Sequence, residues 1–256
     1  MEPGRPLTHR SNTVVEASRL HRARDRKERG ETLIEGPHLL DEALKAGAEI
    51  NRVFFAEDDP GLDAARQAGL ETFAVDERGL ARIAGTETPR GPIAVVAIPR
   101  EPSAPRPQRL LVSWGVSDPG NVGTMIRTAA AFGWGFGYAD GTADPWSPKV
   151  LRSAAGFQFT TWIGRIGSVE ELRNSGHSPI ATVVRGGEEL SRVEAGKVAV
   201  LIGEEASGLP RPIVELCDAS LTIPMPGATE SLNAAVAAGI VAYALTKSSG
   251  ENDDGV

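Results

Sequence analysis

The feature that most constrains this chain is a regular alternation of short apolar runs with helix-patterned segments between residues 110 and 245. The apolar runs are residues 110–112, 135–139, 160–163, 180–184, 198–202 and 221–223, and the helical patterns are residues 122–132, 168–174 and 230–245. Continuous apolar strands separated by helices are typical of a parallel sheet that is covered on both faces. The sequence therefore predicts an α/β domain here.

A second, smaller domain is predicted ahead of it. Residues 99–109 (PREPSAPRPQR) contain four prolines and no apolar periodicity, which indicates a stiff, solvated linker. Helix and strand patterns also alternate before this linker, which predicts a small α/β/α unit. A further helix is expected ahead of this unit, over residues 12–29. The expected division is a first domain at residues 1–98, the linker at 99–109, a second domain at 110–247 and a disordered acidic tail at 248–256.

Composition excludes several classes of protein. One cysteine and four scattered histidines among 256 residues rule out a disulfide scaffold and a zinc module, so we expect no metal. The apolar run at residues 234–245 is shorter than the roughly 20 residues that span a bilayer, and the first ten residues lack an apolar signal core. We therefore expect a cytoplasmic chain with no membrane partner.

Charge is distributed unevenly along the chain. Residues 1–30 carry eight basic and four acidic side chains, so this segment is +4 within a chain of −7, and the remainder is −11. The overall charge argues against non-specific coating of nucleic acid. A basic helical face at the N-terminus is usually only solvated, although here it could also lie on phosphates.

Three loops follow predicted strands at the sheet edge where parallel sheets bind ligands. They are residues 118–127 (DPGNVGTMIR), 202–210 (IGEEASGLP) and 223–233 (IPMPGATESLN). Taken singly, each has an ordinary explanation: an Asn helix cap, a solvated acidic turn, and a Thr229 or Ser231 helix cap. The glycine that ends the strand at residue 203 would also let a ligand approach the backbone.

Taken together, in this order and spacing, the loops resemble the three signature motifs of the SpoU/TrmH-type RNA ribose 2′-O-methyltransferases of the SPOUT class. Residues 147–156 (SPKVLRSAAG) look like the substrate-side segment of that family. A weaker resemblance links residues 35–99 to the ribosomal-protein-like RNA-binding domain that is often fused ahead of the catalytic domain. The resemblance implies an α/β fold in which a small N-terminal α/β/α RNA-binding domain precedes a parallel-sheet SPOUT domain with a C-terminal trefoil knot.

The resemblance also implies a cofactor, partners and site residues. The methyl donor would be S-adenosyl-L-methionine, the substrate a structured RNA, and the assembly an obligate homodimer whose two subunits build each active site. Carried over by position, the catalytic candidates are Asn121, Arg127, Glu205, Ser231 and Asn233. The cofactor-binding candidates are Val184, Ile202, Gly203, Ile223, Met225 and Leu232.

Two departures from the family pattern concern charge. The second motif reads Gly203-Glu204-Glu205 where the family usually has Gly-Asn-Glu, and the strand before the first motif ends without its commoner acidic residue. Arg127 is often cast as the proton acceptor of this family. Because arginine stays protonated at neutral pH, we expect Arg127 to grip phosphate and steer the hydroxyl, with a phosphate oxygen, Glu205 or water taking the proton.

Other functions remain open from the residues alone. The RNA-binding domain that the resemblance implies favours 23S ribosomal RNA, and the purpose could be housekeeping or self-resistance to an antibiotic. A tRNA ribose methyltransferase and a catalytically silent ribosome-assembly protein are the alternatives. A nucleotide-dependent dehydrogenase is disfavoured, because the glycines at residues 133–137 follow a helix and lack the fingerprint spacing.

Overall fold

The computed structural model describes residues 6–56, 59, 61–100, 102, 105–189, 196–227 and 231–248. Residues 249–256 of the predicted acidic tail, the expected Thr229 cap and the Glu230 start of the last predicted helix lie outside the described residues. No helix in the described ranges is both long and apolar enough to cross a membrane.

The secondary structure alternates along the whole chain. The strands are β1 (Glu31–Glu35), β2 (Ile50–Phe55), β3 (Thr72–Ala74), β4 (Ile93–Ala97), β5 (Arg109–Trp114), β6 (Gly135–Tyr138), β7 (Ile163–Arg165), β8 (Ser178–Thr182), β9 (Glu188–Glu189), β10 (Val198–Gly203) and β11 (Ala219–Thr222). The α-helices are α1 (Asn12–Ser18), α2 (Ala23–Arg29), α3 (Pro37–Lys45), α4 (Leu62–Gln67), α5 (Glu77–Ala84), α6 (Pro119–Ala131), α7 (Pro148–Ser153), α8 (Val169–Asn174), α9 (Arg211–Leu216) and α10 (Ala234–Ser248).

The chain divides into two compact units. The first contains Met1–Arg100 and Asp144–Phe159, and the second contains Glu101–Ala143 and Thr160–Val256. The segment Asp144–Phe159, which includes α7, therefore packs with the N-terminal unit although it lies between β6 and β7 in sequence. The sequence had placed this whole segment in the second domain.

The second unit is built on a parallel sheet in the order β7-β6-β5-β10-β8-β11-β9, and each pair of neighbours is parallel. Strand β10 lies at its centre and is buried from Val198 to Ile202. The α/β class and the parallel sheet expected from the sequence are confirmed. Because all these strands run the same way, the loops after β5, β10 and β11 leave the sheet at one edge.

Two elements of this unit are displaced from their expected positions. The strand predicted at residues 160–163 begins only at Ile163 and continues to Arg165. The last helix begins at Ala234 instead of near residue 230, since Asn233 provides its cap. Along α10, Thr246 accepts a hydrogen bond of 3.0 Å from the buried Trp134 indole, which holds the helix against the segment that follows α6.

The first unit contains a four-stranded mixed sheet in the order β1-β4-β2-β3. Strand β1, which the apolar pattern did not reveal, pairs antiparallel with β4 from Glu31 opposite Ala97 to Glu35 opposite Ile93. The helix expected over residues 12–29 is broken, because Arg22 adopts an extended backbone between α1 and α2. The break turns Leu20 into the core of this unit, where it is fully buried.

The break also buries one of the eight basic side chains of the N-terminal segment. Arg26 is 4% exposed. Its guanidinium donates to the carbonyls of Leu20 and His21 at 2.8 and 2.9 Å and to Asp144 Oδ2 at 2.5 and 3.0 Å. A side chain with these partners is structural, so Arg26 is not available to bind phosphate.

The segment Asp144–Phe159 is held to the rest of its unit by two further polar contacts. Thr32 Oγ1 on β1 donates to the Trp146 carbonyl at 2.6 Å in a buried setting. Arg152 on α7 donates to Glu35 Oε2 at 2.7 Å, where the glutamate side chain is largely buried. The residues that resemble a substrate-side segment are therefore positioned by the N-terminal unit.

Substitution of the buried arginine tests this anchoring. Arg26→Met is expected to lower the free energy of unfolding of the full chain by about 2–4 kcal/mol, because two carbonyls and the Asp144 carboxylate lose their donor. Urea denaturation followed by circular dichroism measures the change. Lys27→Met, at the exposed next position of α2, is the matched control and is expected to change stability by less than about 0.5 kcal/mol. Equal losses in the two variants would contradict the anchoring role.

Candidate active site

The first motif loop begins α6 with an aspartate cap. Asp118 Oδ1 accepts the backbone N–H of Asn121 at 2.8 Å, and Pro119 occupies the first helical turn. The expected ordinary role of Asn121, a helix cap, is therefore wrong, since Asp118 fills it. The Asn121 side chain is left to make contacts beyond its own helix.

The third motif loop supplies one of those contacts. Asn233 Oδ1 caps α10 by accepting the backbone N–H groups of Ala235 and Val236 at 2.9 and 3.2 Å. Its Nδ2 donates to Asn121 Oδ1 at 2.9 Å. Asn233 thus joins the start of α10 to the start of α6, and Ser231, expected as a possible cap, does not serve as one.

The second motif loop supplies the other contact. Asn121 Nδ2 donates a hydrogen bond to Glu205 Oε1. Three predicted catalytic residues, Asn233, Asn121 and Glu205, therefore form one chain of side-chain hydrogen bonds that links the loops after β11, β5 and β10. We call this the Asn–Asn–Glu chain.

A cavity of about 300 Å³ opens beside it, at the carboxyl ends of β8, β10 and β11. All six residues expected to bind cofactor line this cavity: Val184, Ile202, Gly203, Ile223, Met225 and Leu232. Glu205 and Ser231 line it as well. Aliphatic walls with a few polar groups are the usual form of a pocket for a cofactor-sized ligand.

Gly203 is required here by a close approach of the backbone. A Cβ atom at this position would lie 2.3 Å from the Gly208 carbonyl carbon and 2.4 Å from the Leu209 nitrogen. The chain between them forms a tight loop, in which the Gly208 N–H donates a hydrogen bond to the Glu204 carbonyl at 2.8 Å. The glycine therefore lets the loop carrying Glu205 fold over the end of β10, a reason that the sequence alone did not provide.

Among the predicted catalytic residues, Arg127 neither lines the cavity nor belongs to the Asn–Asn–Glu chain. It lies six residues beyond Asn121 on α6, roughly 9 Å further along the helix axis. Its side chain is exposed, and among the described residues its guanidinium has no hydrogen-bond or ion-pair partner. It does not line the cavity.

Several lining residues were not predicted from the sequence. They are Thr182, Ser207, Ala234 and Ala237, besides the flanking apolar positions. Thr182 ends β8, and the rule that ligands bind at carboxyl ends of parallel strands would have included it. The two alanines belong to the first turn of α10, and their small side chains leave room in the cavity.

Two reactive side chains outside the loops, Cys217 and His177, have shifted pKa values that favour their uncharged forms. Burial raises the pKa of the Cys217 thiol to about 11, so little thiolate forms at neutral pH. Burial lowers the pKa of His177, whose ring nitrogens are hydrogen-bonded to Ser175 and to the Pro107 carbonyl. Neither residue lines the cavity, so a covalent thiol step and a histidine base have no support here.

Comparison with protein families decides the classification. Residues 108–243 match the SpoU rRNA Methylase family, and residues 11–94 match the MRM3-like substrate binding domain. The chain belongs to the SpoU rRNA methylase family. The family expected from the three motifs and the methyltransferase class of enzyme are thereby confirmed.

Relatives of this SpoU-family chain extend along nearly its whole length. It is 34% identical over 241 residues to the 23S rRNA (guanosine(2553)-2′-O)-methyltransferase RlmP of Bacillus subtilis, covering 92% of this chain and 96% of that protein. A tRNA/rRNA methyltransferase of Synechocystis is 35% identical, with 93% and 92% covered.

Solved structures share the fold. The SpoU methyltransferase AviRb from Streptomyces viridochromogenes, in complex with AdoMet, superposes with a TM-score of 0.85 at 26% identity, covering 95% of this chain and 100% of that one. An AdoMet-bound rRNA methyltransferase from Sinorhizobium meliloti gives 0.83 at 25% identity, with 95% and 97% covered.

A methyl group added at the close backbone approach tests the cavity wall. Gly203→Ala in the SpoU-family chain is expected to lower the free energy of unfolding by about 1–3 kcal/mol, because the added Cβ must displace the Gly208–Leu209 backbone. Thermal denaturation measures it. Gly196→Ala, just before the same strand, meets no atom within 4 Å and is the matched control. A Gly203→Ala protein as stable as Gly196→Ala would refute the packing argument.

Proposed function

We propose that this chain transfers a methyl group from S-adenosyl-L-methionine to a ribose 2′-hydroxyl of 23S ribosomal RNA in the cytoplasm. The observation that carries the proposal is the Asn–Asn–Glu chain, which joins all three motif loops at the rim of one cavity. The relative named as a 23S rRNA 2′-O-methyltransferase, which aligns along 92% of this chain, favours the ribosomal substrate. The alternative substrate is tRNA, and methylation assays on the two RNAs distinguish them.

The cavity fits the expected cofactor. Aliphatic side chains of Val184, Ile202, Ile223 and Leu232 line it and would enclose a planar purine. Extended main chain at the ends of β8, β10 and β11 borders the same space and offers N–H and carbonyl groups to a ribose and a base edge. When bound, S-adenosyl-L-methionine supplies an activated methyl group on a sulfonium.

The side chains around the cavity can orient and deprotonate a hydroxyl. Glu205 Oε1 is held by Asn121, while Oε2 has no hydrogen bond among the described residues and can accept a proton. Asn233 fixes Asn121 in turn. Holding the reactants in line lowers the activation barrier by roughly 7–11 kcal/mol. A proton acceptor raises the rate by about 10²–10⁴, so positioning makes the larger contribution to the rate.

No Lys or Arg side chain is among the described residues that line the cavity, which argues for a second subunit. Arg127 is exposed, unpaired among the described residues and outside the cavity lining. We infer that the protein is a homodimer in which Arg127 of one subunit reaches the cavity of the other. There its guanidinium would hold an RNA phosphate through two parallel hydrogen bonds.

An apolar face on α10 supports the dimer. Val236, Ile240 and Tyr243 are 51%, 37% and 51% exposed, and their spacing places them on one side of the helix. Phe132, which follows α6, extends this face through an edge-on ring contact with Tyr243 at 6.3 Å. Helix α6, which ends next to Phe132, also carries Arg127, so a second copy covering this face would lie beside the helix that holds this residue.

The N-terminal unit supports RNA binding. Its broken helical segment exposes Arg19, Arg22, Arg24 and Lys27, none of which has an ion-pair partner among the described residues. Such side chains neutralise phosphates and make affinity depend on salt. We assign them, rather than the whole basic segment, to the phosphates of ribosomal RNA.

The C-terminal trefoil knot expected from the family is also part of the proposal. Strand β10 enters the sheet between β5 and β8, and α10 returns from β11 to pack on α6. This return path is what a threaded C-terminal helix requires.

Methyl transfer to defined RNAs tests the function. Purified protein with labelled S-adenosyl-L-methionine is expected to methylate a ribose in 23S rRNA from a strain lacking the gene, located by ribose-methylation mapping. Arg127→Ala is expected to lower kcat/KM by about 10²–10³ with cofactor affinity unchanged, because a phosphate contact is lost. Arg127→Lys should retain a measurable rate with the parental pH profile. Methylation of tRNA but not of 23S rRNA would replace the proposed substrate, and an Arg127→Ala protein at parental rate would remove the role of this residue.

Heterodimers test the shared active site. One subunit carrying Arg127→Ala and one carrying Glu205→Ala, co-expressed with different tags, are expected to regain about half of the parental activity, since one of two sites has both residues. Each variant alone should be nearly inactive. Light scattering checks that the purified species is a dimer. An inactive heterodimer would place both residues in one subunit, and a monomeric parent protein would exclude the dimer.

A further inference from the structure

The cavity has an unusual balance of charge. Two carboxylates, Glu204 and Glu205, line it, and none of the described lining residues is Lys, Arg or His. A pocket with walls of low polarability and two negative groups attracts a cation and repels an anion. The excess of negative charge in the cavity therefore gives ligands of the same shape but different charge different affinities.

The two carboxylates are not equivalent. Glu205 is engaged by Asn121 in the Asn–Asn–Glu chain. Glu204 is held on the other side of the loop by Ser207, whose Oγ donates to Glu204 Oε2 at 2.6 Å. Among the described residues Glu204 has no ion-pair partner, so its charge is not neutralised within the chain.

We propose that Glu204 makes the cavity selective for charge: it favours the cationic methyl donor over the neutral product of the reaction. This inference rests on the proposed function and adds a residue that determines cofactor specificity. In the reaction the sulfur–methyl bond breaks, its electron pair stays on sulfur, the ribose oxygen gains the methyl group, and the hydroxyl proton passes to a base. The ligand therefore loses its positive sulfur at the moment of transfer, while the Glu204 carboxylate stays.

This loss has a direct consequence for turnover. Donor and product share their adenosine and amino-acid parts, so apolar and main-chain contacts bind both equally and cannot separate them. The two ligands differ in charge only at sulfur, so a carboxylate that attracts the positive sulfur weakens product binding relative to donor binding. Product inhibition is thereby reduced without any change in the shape of the cavity.

Binding calorimetry on the full-length protein tests the inference without measuring activity. The ligands are S-adenosyl-L-methionine, S-adenosyl-L-homocysteine and sinefungin, in which a protonated amine replaces the sulfonium. Glu204→Gln is expected to weaken the two cationic ligands by roughly three- to fivefold, as for a partly exposed charge pair. The neutral homocysteine analogue should change by less than about twofold, since glutamine keeps the size and hydrogen-bonding capacity of the side chain.

Controls separate the possible outcomes. Glu215→Gln makes the same chemical change at an exposed position outside the cavity, beside Arg211, and should leave all three affinities unchanged. Raising the salt concentration should shrink the cation preference of the parent more than that of Glu204→Gln, which keeps only the Glu205 carboxylate in the cavity lining. Equal weakening of charged and neutral ligands, or no weakening, would overturn the charge inference while leaving the proposed function intact. A parent protein that binds none of the three ligands would overturn both.

Discussion

The parallel pairing of β10 with β5 on one side and β8 on the other is the constraint on which the site depends. Val198 to Gly203 pair with Arg109 to Trp114, and Val198 to Leu201 pair with Ser178 to Ala181. This register pairs Gly203, the last residue of β10, with Trp114, the last residue of β5. The loops after β5 and β10 are therefore brought to the same height at the sheet edge, and Asn121 meets Glu205 there.

The choice of helix caps decides which side chains are free for chemistry. Asp118 caps α6 and releases Asn121, whereas Asn233 caps α10 and still donates through its second polar atom to Asn121. An amide side chain can do both because its oxygen accepts while its nitrogen donates. Propensity rules rank Asn and Asp alike as caps, so the sequence predicted a capped helix but could not assign the cap to Asp118.

Local patterns predicted more of the architecture than of its long-range contacts. The parallel sheet followed from apolar runs and turn residues, and the family resemblance named several residues that line the cavity. Strand β1 was missed because Glu31–Glu35 has charged ends and only three consecutive buried residues. The attachment of α7 to the N-terminal unit depends on Arg26 and Asp144, which are 118 residues apart, and no local pattern carries a contact of that range.

The composition gives the number of charged side chains, but burial and ion pairing in the fold determine which of them are available to bind a ligand. In the N-terminal segment Arg26 is buried in an ion pair with Asp144, and Arg29 lies 3.8 Å from Glu16. Fewer cationic side chains are therefore free to bind phosphate than the sequence contains. In the second unit two of the negative charges, Glu204 and Glu205, line the cavity, and no basic residue is among its described lining residues. An enzyme that joins a polyanion to a cationic donor needs opposite potentials at its two binding surfaces. The net charge of the chain conceals this separation, because it adds the two surfaces together.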